Sequence, residues 1–248
     1  AILGKGDLIA YPKELNYSSK SNLSEDDAYF LGLFAAEGSS NPLSLSTGSE
    51  ILKDWVVNYV KNNHDYNPTI RTDRRREKPV YSILFKVPSR ELLGKLIGCR
   101  SGDKLVPESV LSGNAKISQQ FLAGYMDGDG HFADFYASAT TKSKELAAGL
   151  SYLFLKLGMP STVKEKMVAD NKFYRISIVG EERTHLNDLP LKIKSANYTS
   201  KNSAYGYSSP IVRYLQQIYK QTMGGSRGSQ EKTIGRKNNA GETWYHYL

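Results

Sequence analysis

Hydrophobic and polar positions alternate in blocks along the chain, and one block occurs twice. Residues 30–38 read Phe-Leu-Gly-Leu-Phe-Ala-Ala-Glu-Gly and residues 122–130 read Leu-Ala-Gly-Tyr-Met-Asp-Gly-Asp-Gly. Each is an apolar helical run that carries small residues inside and ends in a carboxylate followed by glycine. The two carboxylates, Glu37 and Asp129, are 92 positions apart. Ser24 and Asp27 form a carboxylate variant of the capping box, which predicts a helix start there and a helix running to Glu37.

The blocks that follow also recur. The amphipathic pattern Glu50–Val60 is answered by Glu145–Leu155. The strand-like runs Thr69–Arg71 and Val80–Phe85 are answered by Thr162–Lys164 and Phe173–Ile178, both at an offset of 93. Arg90–Leu93 and Arg183–Leu186, again 93 apart, are read as starts of short helices. Each half is therefore helix, two strands, helix, two strands, helix, and the near-constant offset argues for duplication. The expected organisation is an extension over residues 1–24, a first half over 25–115, a second half over 116–195 and an extension over 196–248. In the last, Pro210–Met223 is read as a helix, residues 224–241 as a Gly-, Ser-, Asn- and Lys-rich stretch, and the aromatic end at Trp244–Tyr247 as a packing segment.

Gly32 and Gly124 fall mid-helix, where glycine costs roughly 1 kcal/mol against alanine. Close approach of a second backbone recovers such a cost, and the neighbouring Ala35, Ala36, Ala123 and Gly128 permit it. Two motif helices packed in this way bring Glu37 and Asp129 together at two negative helix ends. That arrangement is unfavourable unless a cation lies between the acids. A hard divalent ion such as Mg²⁺ meets the demand.

With these features in place, Phe30–Gly38 and Leu122–Gly130 resemble the two copies of the LAGLIDADG motif of homing endonucleases, the monomeric two-motif kind found in introns and inteins. The second copy matches at Leu122, Ala123, Gly124, Asp127, Asp129 and Gly130. The first departs from the consensus, with Ala35 in place of an acid and Glu37 in place of the final Asp. The resemblance implies an α+β fold of two pseudo-symmetric αββαββα halves, with the motif helices at the centre and a saddle-shaped antiparallel sheet over DNA. It also implies site-specific double-strand cleavage of a long asymmetric target by metal-dependent phosphodiester hydrolysis. The expected metal is Mg²⁺ or Mn²⁺, with Ca²⁺ as a non-cleaving substitute, held by Glu37 and Asp129 with the carbonyls of Ala36 and Gly128. Lys5–Pro12 resembles the segment that precedes the endonuclease in inteins, and Lys104 in Asp103–Pro107 resembles the lysine element of intein-type enzymes. Its second-half partner falls at Lys192 or Lys194. Spacing favours Lys194, 65 residues after Asp129, against 67 from Glu37 to Lys104.

Charge extends the same picture. The 248 residues carry 33 Lys and Arg against 25 Asp and Glu, a net charge of +8, which favours a phosphate-bearing partner. Strand alternation places candidate DNA contacts at Ser44 and Ser46, at Asp134, Tyr136 and Ser138, at Lys164 and Lys166, and at Arg175 and Ser177. Arg71, Arg74, Arg75, Arg76, Lys78 and Lys86 crowd a hairpin and the strand after it. A β-ribbon bearing Arg and Ser suits the major groove. His131 is read as a strand residue, and His64, His185 and His246 show no zinc spacing. Cys99 is the only cysteine, which excludes an internal disulfide and points to a reducing intracellular compartment, organellar or prokaryotic. No apolar run reaches the roughly 20 residues of a membrane span. The start without Met suggests a processed fragment, and the chain shows neither an N-terminal Cys or Ser nor a terminal His-Asn for self-splicing. An RNA maturase, with RNA as partner, and a non-catalytic DNA-binding regulator on the same fold are the alternatives. The regulator predicts loss of the acids, and both are present.

Overall fold

The computed structural model describes residues 22–64, 66–75, 77–85, 97–98 and 100–199, with the main chain of 235–237 and 243–245. The expected segments at 1–21 and 90–93, the helix at 210–223, the stretches at 224–234 and 238–241 and the side chains of Trp244–Tyr247 lie outside the described residues, as do Arg76, Lys86 and Cys99.

Helix α1 spans Glu25–Glu37, and Ser24 caps it in the anticipated manner. The Ser24 hydroxyl accepts from the Asp27 N–H at 3.1 Å, and the Asp27 carboxylate accepts from the Ser24 N–H at 3.1 Å. Ala28 to Ala35 are all buried, so this helix is apolar all round and belongs at the centre of the molecule. After it come β1 (Gly38–Ser40), β2 (Leu43–Thr47), α2 (Glu50–His64), β3 (Thr69–Asp73) and β4 (Val80–Leu84). The short α3 (Glu108–Leu111) leads to α4 (Ala115–Asp129), the second motif helix, capped by the Asn114 side chain on the Ile117 N–H. The same order then returns as β5 (His131–Ala133), β6 (Tyr136–Thr141), α5 (Lys144–Lys156), β7 (Ser161–Val168) and β8 (Asn171–Val179). The final helix of the second half is a 3₁₀ segment, Glu181–Asp188. Far along the chain, β9 (Gly235–Lys237) pairs antiparallel with β10 (Thr243–Tyr245).

The two halves build the same sheet. Strand order is β1-β2-β4-β3 in one and β5-β6-β8-β7 in the other, antiparallel throughout. This is the duplicated α+β architecture anticipated from the repeated blocks. Leu45 and Ile83 in the first sheet, and Ala137, Ala139, Ile176 and Ile178 in the second, turn inward to one continuous core. An aromatic group fixes α2 on α1: Tyr29 meets Trp55 edge-on at 4.6 Å and Phe30 stacks on Tyr59 at 4.6 Å.

The motif helices cross almost backbone to backbone. A Cβ on Gly32 would run into the Phe121 carbonyl oxygen, and one on Gly124 into the Tyr29 carbonyl oxygen. Phe121 lies 92 positions after Tyr29, as Gly124 does after Gly32, so the contact obeys a pseudo-two-fold. The mid-helix glycines are explained by this contact, since any side chain there would push the helices apart.

Candidate active site

Because α1 and α4 cross through their glycines, their C-terminal ends emerge together, carrying Glu37 and Asp129. Burial raises the proton affinity of Glu37, and the nearby Lys104 and Lys194 ammonium groups oppose the shift. Burial and the negative charge of Glu37 push Asp129 up to about 6, against the same two lysines. As a whole residue Asp129 is exposed, because it opens onto a cleft of about 300 Å³ lined by His131, Ser138, Ala139, Thr140, Lys166 and Arg175. Protein nonetheless crowds the carboxyl closely enough to disfavour its charge.

The lysines take up corresponding places. Lys104 Nζ donates to the carbonyls of Ala35 (2.8 Å), Gly38 (3.0 Å), Ala36 (3.3 Å) and Phe34 (3.4 Å), at the end of α1. Lys194 Nζ donates to those of Gly128 (2.8 Å), Gly130 (2.8 Å) and Met126 (2.9 Å), at the end of α4. Each satisfies carbonyls left over at a helix C-terminus and offsets the negative end of the dipole. Burial lowers the proton affinity of both, and the carboxylates oppose it. Ala36 and Gly128, expected as carbonyl ligands, therefore have their oxygens against an ammonium group here. Lys192 goes elsewhere, with its Nζ 4.5 Å from the Tyr29 ring centre and 4.9 Å from that of Trp55. Of the two lysines, Lys194 is the one placed at the end of α4.

Among the described residues no three His, Cys, Asp or Glu side chains converge. Mg²⁺ and Mn²⁺ do not require that: such ions keep several waters and use one or two carboxylates with substrate phosphates. Two oxygen-donor acids, each disfavoured as a free anion, fit a hard divalent cation.

Sequence reasoning missed the surroundings of Asp127. This acid is 2% exposed. It accepts from the Tyr29 hydroxyl at 2.6 Å and from the main-chain N–H groups of Lys192 (2.7 Å), Lys194 (3.1 Å) and Ile193 (3.3 Å). A carboxylate within an apolar run is itself a signal that donors must come to it, though not which ones.

The polar sheet faces lie as the alternation requires. In the first sheet Arg71, Ser82 and Ser46 form a row across β3, β4 and β2. In the second, Lys164 pairs with Arg175, Lys166 with Phe173, and Ser138 with Ser177. Several side chains are already engaged. Arg175 donates to Ser138 Oγ at 3.3 Å and lies over the Tyr136 ring at 5.4 Å. Ser44 is buried and donates to the Pro42 carbonyl at 3.2 Å. Arg75 forms a two-pronged pair with Asp73, at 2.9 Å and 2.7 Å, while Arg74 and Lys78 stay exposed. Asp134 does not share the β6 face with Tyr136 and Ser138; it sits in the tight β5–β6 turn, which takes it out of the strand alternation. His131 is a strand residue at the cleft edge, 5.8 Å from the Tyr136 ring. Among the described residues no helix is long and apolar enough to cross a membrane.

Comparison with known proteins bears on the fold. Residues 117–186 match the LAGLIDADG-like domain. The fold is shared with I-DmoI solved in complex with DNA and Mn, at TM-score 0.51 and 15% identity, over 71% of this chain and all of that one. Mesophilic variants of the homing endonuclease I-DmoI align at TM-score 0.52 and 14% identity, over 68% of this chain and 94% of theirs. Among curated relatives, one component of the A-type ATP synthase of Pyrococcus abyssi is 32% identical over 97 residues, 38% of this chain and 9% of that protein. The small subunit of replication factor C from Methanocaldococcus jannaschii is 27% identical over 195 residues, 74% of this chain and 10% of that protein. The transcription initiation factor IIB of the same organism is 21% identical over 215 residues, 83% of this chain and 30% of that protein. The chain thus spans under a third of the length of these relatives. Residues 117–186 thus carry a LAGLIDADG-like domain, and the chain shares its fold with these solved structures.

Proposed function

We propose that the chain is a DNA endonuclease that binds a long, asymmetric double-stranded site and hydrolyses one phosphodiester in each strand with a divalent metal. The observation that carries this reading is the meeting of Glu37 and Asp129 at two packed helix ends, beside the buried Lys104 and the half-buried Lys194. Glu37 and Asp129 would hold the ion, which when bound supplies Lewis acidity at the phosphoryl oxygen. Lys104 and Lys194 bring positive charge to the region where oxyanion charge develops, fixed in advance by their carbonyl contacts. Arg71, Lys164, Lys166 and Arg175 supply phosphate and base contacts from the two sheet faces. Because the faces differ in sequence, the target is asymmetric. Both acids and both lysines belong to one chain, so the monomer suffices.

A maturase or a DNA-binding regulator on this fold would not require the acid pair, and its retention with both lysines favours cleavage. The curated relatives bear the names of an ATP synthase component, a replication factor and a transcription factor, and in each the shared segment is a minor part. Such recurrence in proteins of unrelated work is the mark of an insertion, and we place the chain with endonucleases carried by inteins in a reducing intracellular setting. The test is selection from a randomised duplex library for cleavage with Mg²⁺ beside the same run in EDTA. The reading expects one long asymmetric site, cut only with the metal. Binding without cutting would move the function to the regulator or maturase.

A further inference from the structure

Lys104 and Lys194 occupy equivalent places, yet their main chains are held by different clamps. Lys194 is held from its N–H side. The two oxygens of Asp127 accept the N–H groups of Lys192, Ile193 and Lys194 in succession, while the Tyr29 hydroxyl braces the carboxylate. The equivalent place in the first half cannot form that clamp. There Asp127 is replaced by Ala35 and Tyr29 by Phe121, each 92 positions away, so an acid and a hydroxyl become a methyl and a phenyl ring. Lys104 is held from its carbonyl side instead. Ser143 Oγ donates to the Lys104 carbonyl, and the same hydroxyl accepts the Leu146 N–H at 3.1 Å as the N-cap of α5. The Leu105 N–H adds a bond to the Ile97 carbonyl at 2.8 Å.

We propose that Asp127 and Ser143 are positioning residues, Asp127 for Lys194 and Ser143 for Lys104, and that the two strand cuts are set separately by these two clamps. The part concerning strands rests on the endonuclease reading; the part concerning lysine placement does not. Asp127 reaches Lys194 through a segment of only three residues. Three of its four bonds go to that segment, and the fourth goes to a tyrosine that orients the carboxylate. Carboxylate bonds to buried N–H groups are among the stronger hydrogen bonds, and their loss leaves the donors unpaired. Asp127→Asn keeps the size but turns an NH₂ toward main-chain N–H donors, so the 192–194 segment shifts and Lys194 leaves the end of α4. Ser143→Ala removes the corresponding hold on Lys104.

The first test is brief acylation of native protein with acetic anhydride, read by peptide mass. Asp127→Asn should raise labelling of Lys194 on the order of tenfold, the scale of one lost buried charge-assisted bond, and leave Lys104 unchanged. Ser143→Ala should do the reverse. Tyr29→Phe keeps all three N–H bonds but loses the brace, so it should raise Lys194 labelling less than Asp127→Asn does and leave Lys104 unchanged. The second test is strand-resolved cleavage of the selected target. Asp127→Asn should accumulate duplex nicked in one strand and Ser143→Ala duplex nicked in the other. If Asp127→Asn exposes both lysines alike, leaves Lys194 protected, or slows both strands equally, the proposal is overturned. If wild-type protein does not cut DNA while the labelling pattern holds, the clamps stand and the endonuclease reading falls. Should a variant fail to fold, hydrogen exchange in the wild type decides: the amides of 192–194 should exchange as slowly as those of α4, and exchange at the rate of an open loop would refute the Asp127 clamp.

Discussion

Lys194 lies on the carbonyls of Met126, Gly128 and Gly130, and Lys104 on those of Phe34, Ala36 and Gly38, the residues 92 positions earlier. Each lysine is therefore tied to the end of one motif helix, and both ammonium groups act on both carboxylates. Removing either ammonium leaves helix-end carbonyls uncapped and takes positive charge from the acids. We expect Lys104→Met and Lys194→Met each to slow cleavage by about 10²-fold or more while DNA binding in EDTA persists. Single-turnover cleavage beside a gel-shift measurement checks this, and unchanged cleavage rates would remove that lysine from the site.

The glycine crossing leads to a stability prediction. Gly32→Ala or Gly124→Ala forces a methyl onto a main-chain carbonyl that cannot rotate away. Overpacking of this kind costs about 1–3 kcal/mol, and more where the obstacle is backbone. The melting temperature should fall in both variants, and a wild-type value in either would contradict the close crossing.

How much of this was legible in the sequence depended on what each residue contacts. The helices, the strands and the paired acids follow from periodicity and from local signals such as the Ser24 cap and the Glu-Gly and Asp-Gly ends. The glycines were informative because a residue unfavourable within a helix needs a compensating contact. The Asp127 clamp was not legible, since three of its four donors are main-chain N–H groups 65 to 67 residues away and carry no side-chain signature. Lys192 and Lys194 could not be separated firmly by spacing, because the aromatic pair that takes Lys192 arises from tertiary packing. Asp134 was misplaced by extending strand alternation through a turn.

Asp129 carries a pH prediction for metal-free protein. Its proton affinity in the fold is raised above the ordinary carboxyl value of 3.8, to about 6. The protonated form is the one the fold favours, so its stability contribution is complete below about pH 4 and lost as pH rises through 6. Asp129→Asn should therefore raise the melting temperature at pH 7.5 and change it little at pH 3.5. The gain should be small, since the carboxyl opens to solvent. Melting curves at the two pH values, in EDTA, give the answer.

The sheet faces predict salt dependence. Lys164→Ala should weaken binding of all sequences about equally and lower the log–log salt slope by about 1, as loss of one phosphate contact does. Arg175→Ala, removing a residue that also orders Ser138 and Tyr136, should in addition relax base preference in the second half-site. Binding titrations at several salt concentrations separate the two outcomes.

The central claim is that Glu37 and Asp129 together hold the metal that cuts DNA. The measurement that tests it most directly compares Glu37→Gln and Asp129→Asn with wild type on the selected duplex, following cleavage with Mg²⁺ and binding in EDTA. The account predicts that each variant loses double-strand cleavage while binding DNA as wild type does. Double-strand cleavage at the wild-type rate by either variant would contradict it.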